Sequence, residues 1–171
     1  MMKAAAAATV LCVIAAAMPV QPASADSKSG NEAQIKMLED KLAAAVSARN
    51  VDAIMSAYVP DQTLFVFDVV PPRQYVGAQA YRKDWIDFLA MFKGPVQLQI
   101  NDLSVQADDK MGWGHSIQHV SGTGTKGQPI NLTVRVTDVY RKIKGQWLII
   151  HEHVSVPVDL DTGKPDLSSK P

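Results

Sequence analysis

Two periodicities divide this chain. Up to about residue 92 the apolar positions recur at helical spacing, and from residue 96 onward they alternate with a period of two. In EAQIKMLEDKLAAAVSAR, Ile35, Leu38, Leu42 and Val46 fall on one helical face. Asn50 is placed to cap a second, short helix, VDAIMSAY, with Ile54, Met55 and Tyr58 turned inward, and Pro60-Asp61 ends it. TLFVFDVV reads as a strand and PPRQYVG as a loop. AQAYRKDWIDFLAMF reads as a third helix, with Tyr81, Trp85, Phe88 and Phe92 on its apolar face and Gly94-Pro95 as its stop.

The second half is β in pattern. VQLQINDLSVQA alternates at Val96, Leu98 and Ile100, then slips to Leu103 and Val105. Such a slip predicts a bulge near Asn101-Asp102 that bends the sheet. KMGWGHSIQHVSG is a further strand and TGTKGQP a turn. INLTVRVTDVYRK and QWLIIHEHVSVP pair as a hairpin around Lys144-Gly145. Residues 159–171 carry no period and are expected to form an extended arm. The order is α-α-β-α-β-β-β-β, helices first and antiparallel strands last, which is an α+β arrangement. The sheet is expected to curve into a cone around three N-terminal-half helices, with a central cavity between the layers.

The first residues change the picture of where this domain works. MMKAAAAATVLCVIAAAMPVQPASAD combines Lys3, an apolar run and an Ala-Ser-Ala site, the pattern of a secretory signal peptide cleaved after Ala25. Pro19 and Pro22 break the run, which is too short for a membrane anchor. Cys12, the single cysteine, follows Leu11 instead of the small residue a lipoprotein site requires. The reading therefore divides the chain into a leader (1–25), a polar spacer (26–31), one domain (32–158) and the tail (159–171). Without cysteine the mature chain has neither disulfides nor thiolate metal sites. Seventeen basic residues balance 17 acidic ones. No basic stripe suggests nucleic acid. The expectation is a bacterial periplasmic or secreted protein, free of the membrane after cleavage.

Ionisable residues inside apolar strands mark the candidate chemistry. Side chains at i and i+2 of a strand share a face, so Trp147, Ile149, His151 and His153 are expected together and Glu152 opposite. On that reading His151 lies inside the cavity with Arg135 and His115, and His153 nearer its rim. The alternatives are hydrogen-bonded structural histidines near the sheet's end or, given a third ligand from His115 or Asp68, a zinc pair. Arg135, in mid-strand, needs a partner or a polar cavity, where it would clamp a carboxylate; otherwise it forms an exposed or dimer-facing ion pair. His115 shares its face with Trp113, Ile117 and His119. Asp68 follows four apolar residues, and partial desolvation would raise its pKa toward that of a useful general base. Its alternative role is a strand-end cap over the proline loop. Tyr58, Tyr81 and Trp85 are core residues that would also form a cavity wall, because in a cone the two coincide. GTGTKG lies in a β-turn and not ahead of a helix, which rules out a phosphate loop.

This order, with ARNVDAIMSAYVPDQTLFVF, YVGAQAYRKDW and YRKIKGQWLIIHEHVSVP, resembles the nuclear-transport-factor-2-like superfamily, in which the SnoaL-like and ketosteroid isomerase-like proteins belong. The last segment is also similar to the end of the association domain of calcium/calmodulin-dependent protein kinase II, and His115 falls loosely where that domain has a pocket arginine. The resemblance implies a small-molecule cavity, chemistry without metal or cofactor, and a homodimer formed through the outer sheet face. Asp68 precedes Gly77 by the spacing that separates the base aspartate of ketosteroid isomerases from a glycine. The position of their oxyanion tyrosine is Leu42, and Asp138 is the candidate second acid. The implied function is binding of a small, largely apolar carbonyl or carboxylate compound. Asp68, His115 and His151 would act in acid/base catalysis, and Tyr58, Tyr81, Trp85, Arg135 and His153 would hold the ligand. The alternative is a non-catalytic binding or assembly module. The leader is checked by the intact mass of protein exported by its native host: it should begin at Asp26, and a mass that retains Lys3 would refute cleavage.

Overall fold

The structure is a computed structural model that describes residues 24–168. The expected leader lies outside the described residues except for its last two positions. Helix α1 spans Ser24–Ser47, α2 Val51–Met55 and α3 Ala78–Ala90. The strands are β1 Phe65–Phe67, β2 Tyr75–Val76, β3 Phe92–Ala107, β4 Met111–Gly124, β5 Pro129–Ile143 and β6 Gln146–Ser155. They form one six-stranded sheet in the order β2-β1-β6-β5-β4-β3. Every pairing is antiparallel except that of β1 with β6. The sheet curves, stays unclosed and holds the helices on its concave side, as expected of an α+β cone.

Local chemistry explains the elements. The Asn50 side chain accepts a hydrogen bond from Ala53 N and starts α2. Lys144 and Gly145 both take positive φ, 50° and 83°, the conformation that a two-residue hairpin between β5 and β6 demands. The bulge predicted in β3 lies between Asn101 and Ser104, with Asp102 at φ 52°.

Four expectations need revision. Residues 26–31 are not a spacer but turns of α1, and Asn31 is buried, donating to Asp108 O (3.0 Å) and accepting from Lys142 Nζ (2.8 Å). Part of the proline loop pairs as β2, because Tyr75 and Val76 find the free edge of β1. Gly94-Pro95 does not stop α3, which ends at Ala90; the pair forms a second irregularity inside β3. The tail is no free arm. It doubles back, Val158 bridging Pro165, and Leu167 O accepts from Thr133 N (2.9 Å).

Two anchors fix α1 on the sheet. At its start Asn31 ties it to the β3–β4 turn and to β5. Just past its end Arg49 donates to Leu89 O (2.8 Å), Phe92 O (3.1 Å) and Gly94 O (2.8 Å), which joins α1 to the α3–β3 corner. The core between the layers holds Ile35, Leu42, Val46, Ile54, Leu64, Val66, Val96 and Ile149, all nearly inaccessible.

Candidate functional site

The faces of the sheet follow from strand alternation. On β5, Val134, Val136, Asp138 and Tyr140 are buried against the helices while Arg135 and Thr137 are exposed. On β4, Ser116, Gln118 and Val120 are buried, whereas Trp113 and His115 are exposed. On β6 the alternation breaks. Trp147 and Ile149 point inward, but Tyr140 pairs with Ile149 and Val139 with His151, leaving Ile150 without a partner. This one-residue bulge moves His151 and His153 to the outer face and turns Glu152 inward.

The expected face assignment is therefore reversed for half of the candidates. Arg135 and His115 stand exposed on the outer face, and the His115 ring stacks on Trp113. His153 is exposed there as well, against the Phe67 ring. His151 is half-buried between Phe65 and Phe67, its Nδ1 2.8 Å from Phe65 O. None of these four lines the cavity. Asp68, Tyr58, Tyr81 and Trp85 do line it, as expected. Among the described residues no three His, Cys, Asp or Glu side chains are grouped so as to hold a metal ion.

The cavity encloses about 650 Å³ between α3, the loop before β2 and the inner faces of β4, β5 and β6. Apolar side chains make most of its wall, and Glu152 lies at its buried end. Tyr58 donates to Glu152 Oε2 (2.9 Å) and Tyr81 to Glu152 Oε1. Asp138 is Glu152's direct cross-strand neighbour, and burial, helped by the charge of Glu152, raises its pKa. Tyr140 donates to Glu39 Oε1 (2.8 Å) and lies 3.5 Å from Asp138 Oδ2. Glu39 comes from α1, on the face that carries Ile35, Leu42 and Val46.

Three carboxyls, Glu39, Asp138 and Glu152, are thus buried together, and no lysine, arginine or histidine forms an ion pair with any of them among the described residues. Glu39 Oε2 and Asp138 Oδ1 have no hydrogen-bond partner. Such a group cannot be fully ionised, since each charge lacks both solvent and a counter-ion. Burial pushes Glu152 up to about 7, against the lowering effect of the Tyr81 and Tyr58 hydroxyls. Burial also pushes Glu39 up to about 7, and it holds Asp138 well above the carboxylate range with the help of the neighbouring acids. At the cavity wall Asp68 is raised to about 6, chiefly by desolvation and then by the charge of Asp84. Burial keeps Tyr58, Tyr81 and Tyr140 protonated, so all three remain donors.

Sequence reasoning missed Glu39, Tyr140 and the inward turn of Glu152. Glu39 was visible in the helical spacing, between Ile35 and Leu42. Asp138 and Tyr140 continue the inward alternation of Val134 and Val136. Glu152 carried no local signal, because Ile149-Ile150 looks like ordinary strand.

Residues 35–159 match the family described as the SnoaL-like domain, and the chain belongs to that family. Its fold is that of the nuclear-transport-factor-2-like proteins. One similar structure is a nuclear-transport-factor-2-like protein of unknown function from Pseudomonas putida, 29% identical over 85% of this chain and 99% of that one, with a TM-score of 0.76. Another, from Xanthomonas campestris, is named as a proposed calcium/calmodulin-dependent protein kinase II association domain; it is 24% identical over 71% of this chain and 84% of its own, with a TM-score of 0.62. A third, from Novosphingobium aromaticivorans, is named as a proposed scytalone dehydratase and is 15% identical over 78% of this chain and 88% of its own, with a TM-score of 0.69. The latter two show the fold alone. No curated protein matches this chain.

The buried acids give stability a definite pH dependence. Glu39 and Glu152, raised from 4.5 to about 7, bind more protons folded than unfolded. Their contribution is complete below about pH 4.5 and is lost as pH rises through about 7. Denaturant unfolding should show lower stability at pH 8 than at pH 5, by on the order of 2–3 kcal/mol for each group. Glu39→Gln should flatten this slope; an unchanged slope, or stability that rises with pH, would disprove the shared protonation.

Proposed function

We propose that this domain binds a small, largely apolar, neutral molecule bearing a carbonyl or hydroxyl group and acts on it by general acid/base chemistry. Asp68 removes a proton, and Glu152, backed by Asp138, supplies one. The observation that supports this reading is the pairing of two carboxyls, Asp68 and Glu152, on one apolar cavity wall, both raised toward neutrality. At neutral pH Asp68 is mostly ionised while Glu152 is still partly protonated, so base and acid coexist. Leu42 lines the cavity where a ketosteroid isomerase would place its oxyanion tyrosine, so donors from Tyr58 and Tyr81 converge on the acid instead.

A carboxylate ligand is disfavoured. Arg135, its expected anchor, is on the outer face, and Lys83 at the exposed rim is engaged with Asp87. An anion entering beside Asp68 and Glu152 meets like charge in a poorly solvated space. A chain named as a proposed scytalone dehydratase has the same fold.

The test begins with mass spectrometry of whatever co-purifies. On that compound, kcat/KM should follow a narrow bell, rising near pH 6 and falling near pH 7, with limbs that belong to the coupled carboxyls as a set. Asp68→Asn should abolish the acid limb and lower the rate by about 10²–10⁴-fold, and Glu152→Gln should abolish the alkaline limb. A bound compound with no turnover, held equally well by Asp68→Asn, would identify a non-catalytic binding module instead.

The same reading includes export to the periplasm or medium, on the strength of the leader, and a homodimer. The outer face carries Trp113, 44% exposed and stacked on His115, with Arg135 and His153 farther along it, a broad surface suited to a second copy. Light scattering at micromolar concentration should give twice the chain mass, and Trp113→Glu should give the single mass. A wild-type monomer would refute it.

A further inference from the structure

The buried acids extend beyond what the proposed chemistry uses. Glu152 touches the cavity, but Glu39 does not, and neither does Tyr140. Both are almost fully buried, behind the cavity wall and under α1. A carboxyl in that position, with one oxygen unpartnered, is costly to keep unless its proton has a use. Structurally an apolar side chain would serve better there, as the neighbours Ile35 and Leu42 on the same helical face do.

Connectivity suggests that use. Tyr140 has a single hydroxyl proton and two acceptors within reach, Glu39 Oε1 at 2.8 Å and Asp138 Oδ2 at 3.5 Å. Asp138 stands directly opposite Glu152 across the ladder, and Glu152 meets the cavity. The strand beside Tyr140 leaves room for its hydroxyl: a Cβ at Gly114 would stand 3.3 Å from Tyr140 Oη and 3.1 Å from Ser104 O. The titratable groups around Glu39 are Tyr140 and Asp138 on β5, Glu152 on β6, Tyr58 after α2, and Asp40 on its own helix.

We propose that Glu39 is a positioning residue that acts through Tyr140 and Asp138 as a buried proton store for Glu152. The reading deepens the acid/base function above and rests on it for its use in turnover. After Glu152 gives its proton to the ligand, Asp138 passes its own proton to Glu152. The Tyr140 hydroxyl proton moves to Asp138 Oδ2, and the Glu39 carboxyl re-protonates the Tyr140 oxygen. One proton has then moved from Glu39 to Glu152, and the negative charge has moved from the cavity wall to Glu39. At 2.8 Å the Glu39–Tyr140 contact serves both states, Glu39 donating to the Tyr140 oxygen before the transfer and accepting from its hydroxyl after it. Return of the proton taken up by Asp68 to the buried set resets the cycle, so no outside oxidant, reductant or co-reactant is needed.

Infrared titration of the full protein, without any ligand, tests the store. The signal lost in Asp68→Asn is subtracted first, which leaves the buried set. Wild type should show a protonated-carboxyl band at pH 6 that falls as pH passes about 7, when Glu39 and Glu152 ionise, and the part held by Asp138 should last to higher pH. Glu39→Gln, close to isosteric, should reduce the band and lower the midpoint of the remainder by about one pH unit, as loss of a nearby acid predicts. Tyr140→Phe keeps all three carboxyls and should split one broad transition into two separate ones. Absence of the band in wild type at pH 6, or one midpoint shared by all three proteins, would overturn the proposal. Should Glu39→Gln fail to fold, wild type and Tyr140→Phe still decide. Because no ligand is used, the result is independent of whether the domain turns anything over, so failure here is distinguishable from failure of the acid/base reading.

Discussion

One extra residue in β6 decides what this cavity contains. Up to Ile149 the strand lies with its far edge bonded to the chain after α2: Ile149 N donates to Ala57 O and Val59 N to Ile149 O, both at 2.9 Å. From His151 onward that edge belongs to β1. Between the two, Ile150 has no partner on β5, and the period of two slips by one. Without that slip the cavity would receive two histidines, and Glu152 would face outward beside Arg135 and Thr137. With it, Glu152 meets Asp138 directly across the ladder, and Tyr58, held by the same Ile149 contacts, reaches its carboxylate. Backbone pairing thus selects the chemistry, since a strand cannot change the face of one side chain alone.

The consequence is a group of acids in the least solvated part of the domain. Tyrosine hydroxyls and shared protons take the place that a lysine or arginine would fill in an ordinary buried ion pair. Such an arrangement stays neutral enough to bury only while it holds its protons. The rigid anchors of α1 at Asn31 and Arg49 matter for this reason: they fix Glu39 at hydrogen-bond distance from Tyr140.

Much of this was legible from the residues. Helix faces, the hairpin at Lys144-Gly145, the β3 bulge and the inward positions of Tyr58, Tyr81 and Trp85 all follow from spacing and turn chemistry. The β3 bulge was visible because its apolar positions, Ile100 and Leu103, slip on either side of polar Asn101-Asp102. The β6 bulge was invisible because Ile149 and Ile150 are both apolar, and either register satisfies their neighbours. The misplacement of His151 and His153 traces to that slip, whereas Arg135 was placed by the cost of burying a mid-strand charge, and His115 by the likeness to a pocket arginine; both stand on the outer face. The bonding of Asn31 to the β3–β4 turn was equally hidden, since a polar run gives no sign that one asparagine will be buried.

The folded-back tail has a bearing on solubility. β5 is longer than β6, and their pairing ends at Arg135–Ser155, so the stretch from Pro129 to Val134 would present bare amide and carbonyl groups along one side. Pro129 has no N–H to offer, and the Thr133 N–H is taken by Leu167 O. An uncapped ribbon of that kind is a template on which another chain can add a strand. The folded-back segment at Leu167 therefore leaves one amide fewer on that rim of the sheet for a strand of another molecule to use, an effect that owes nothing to the cavity.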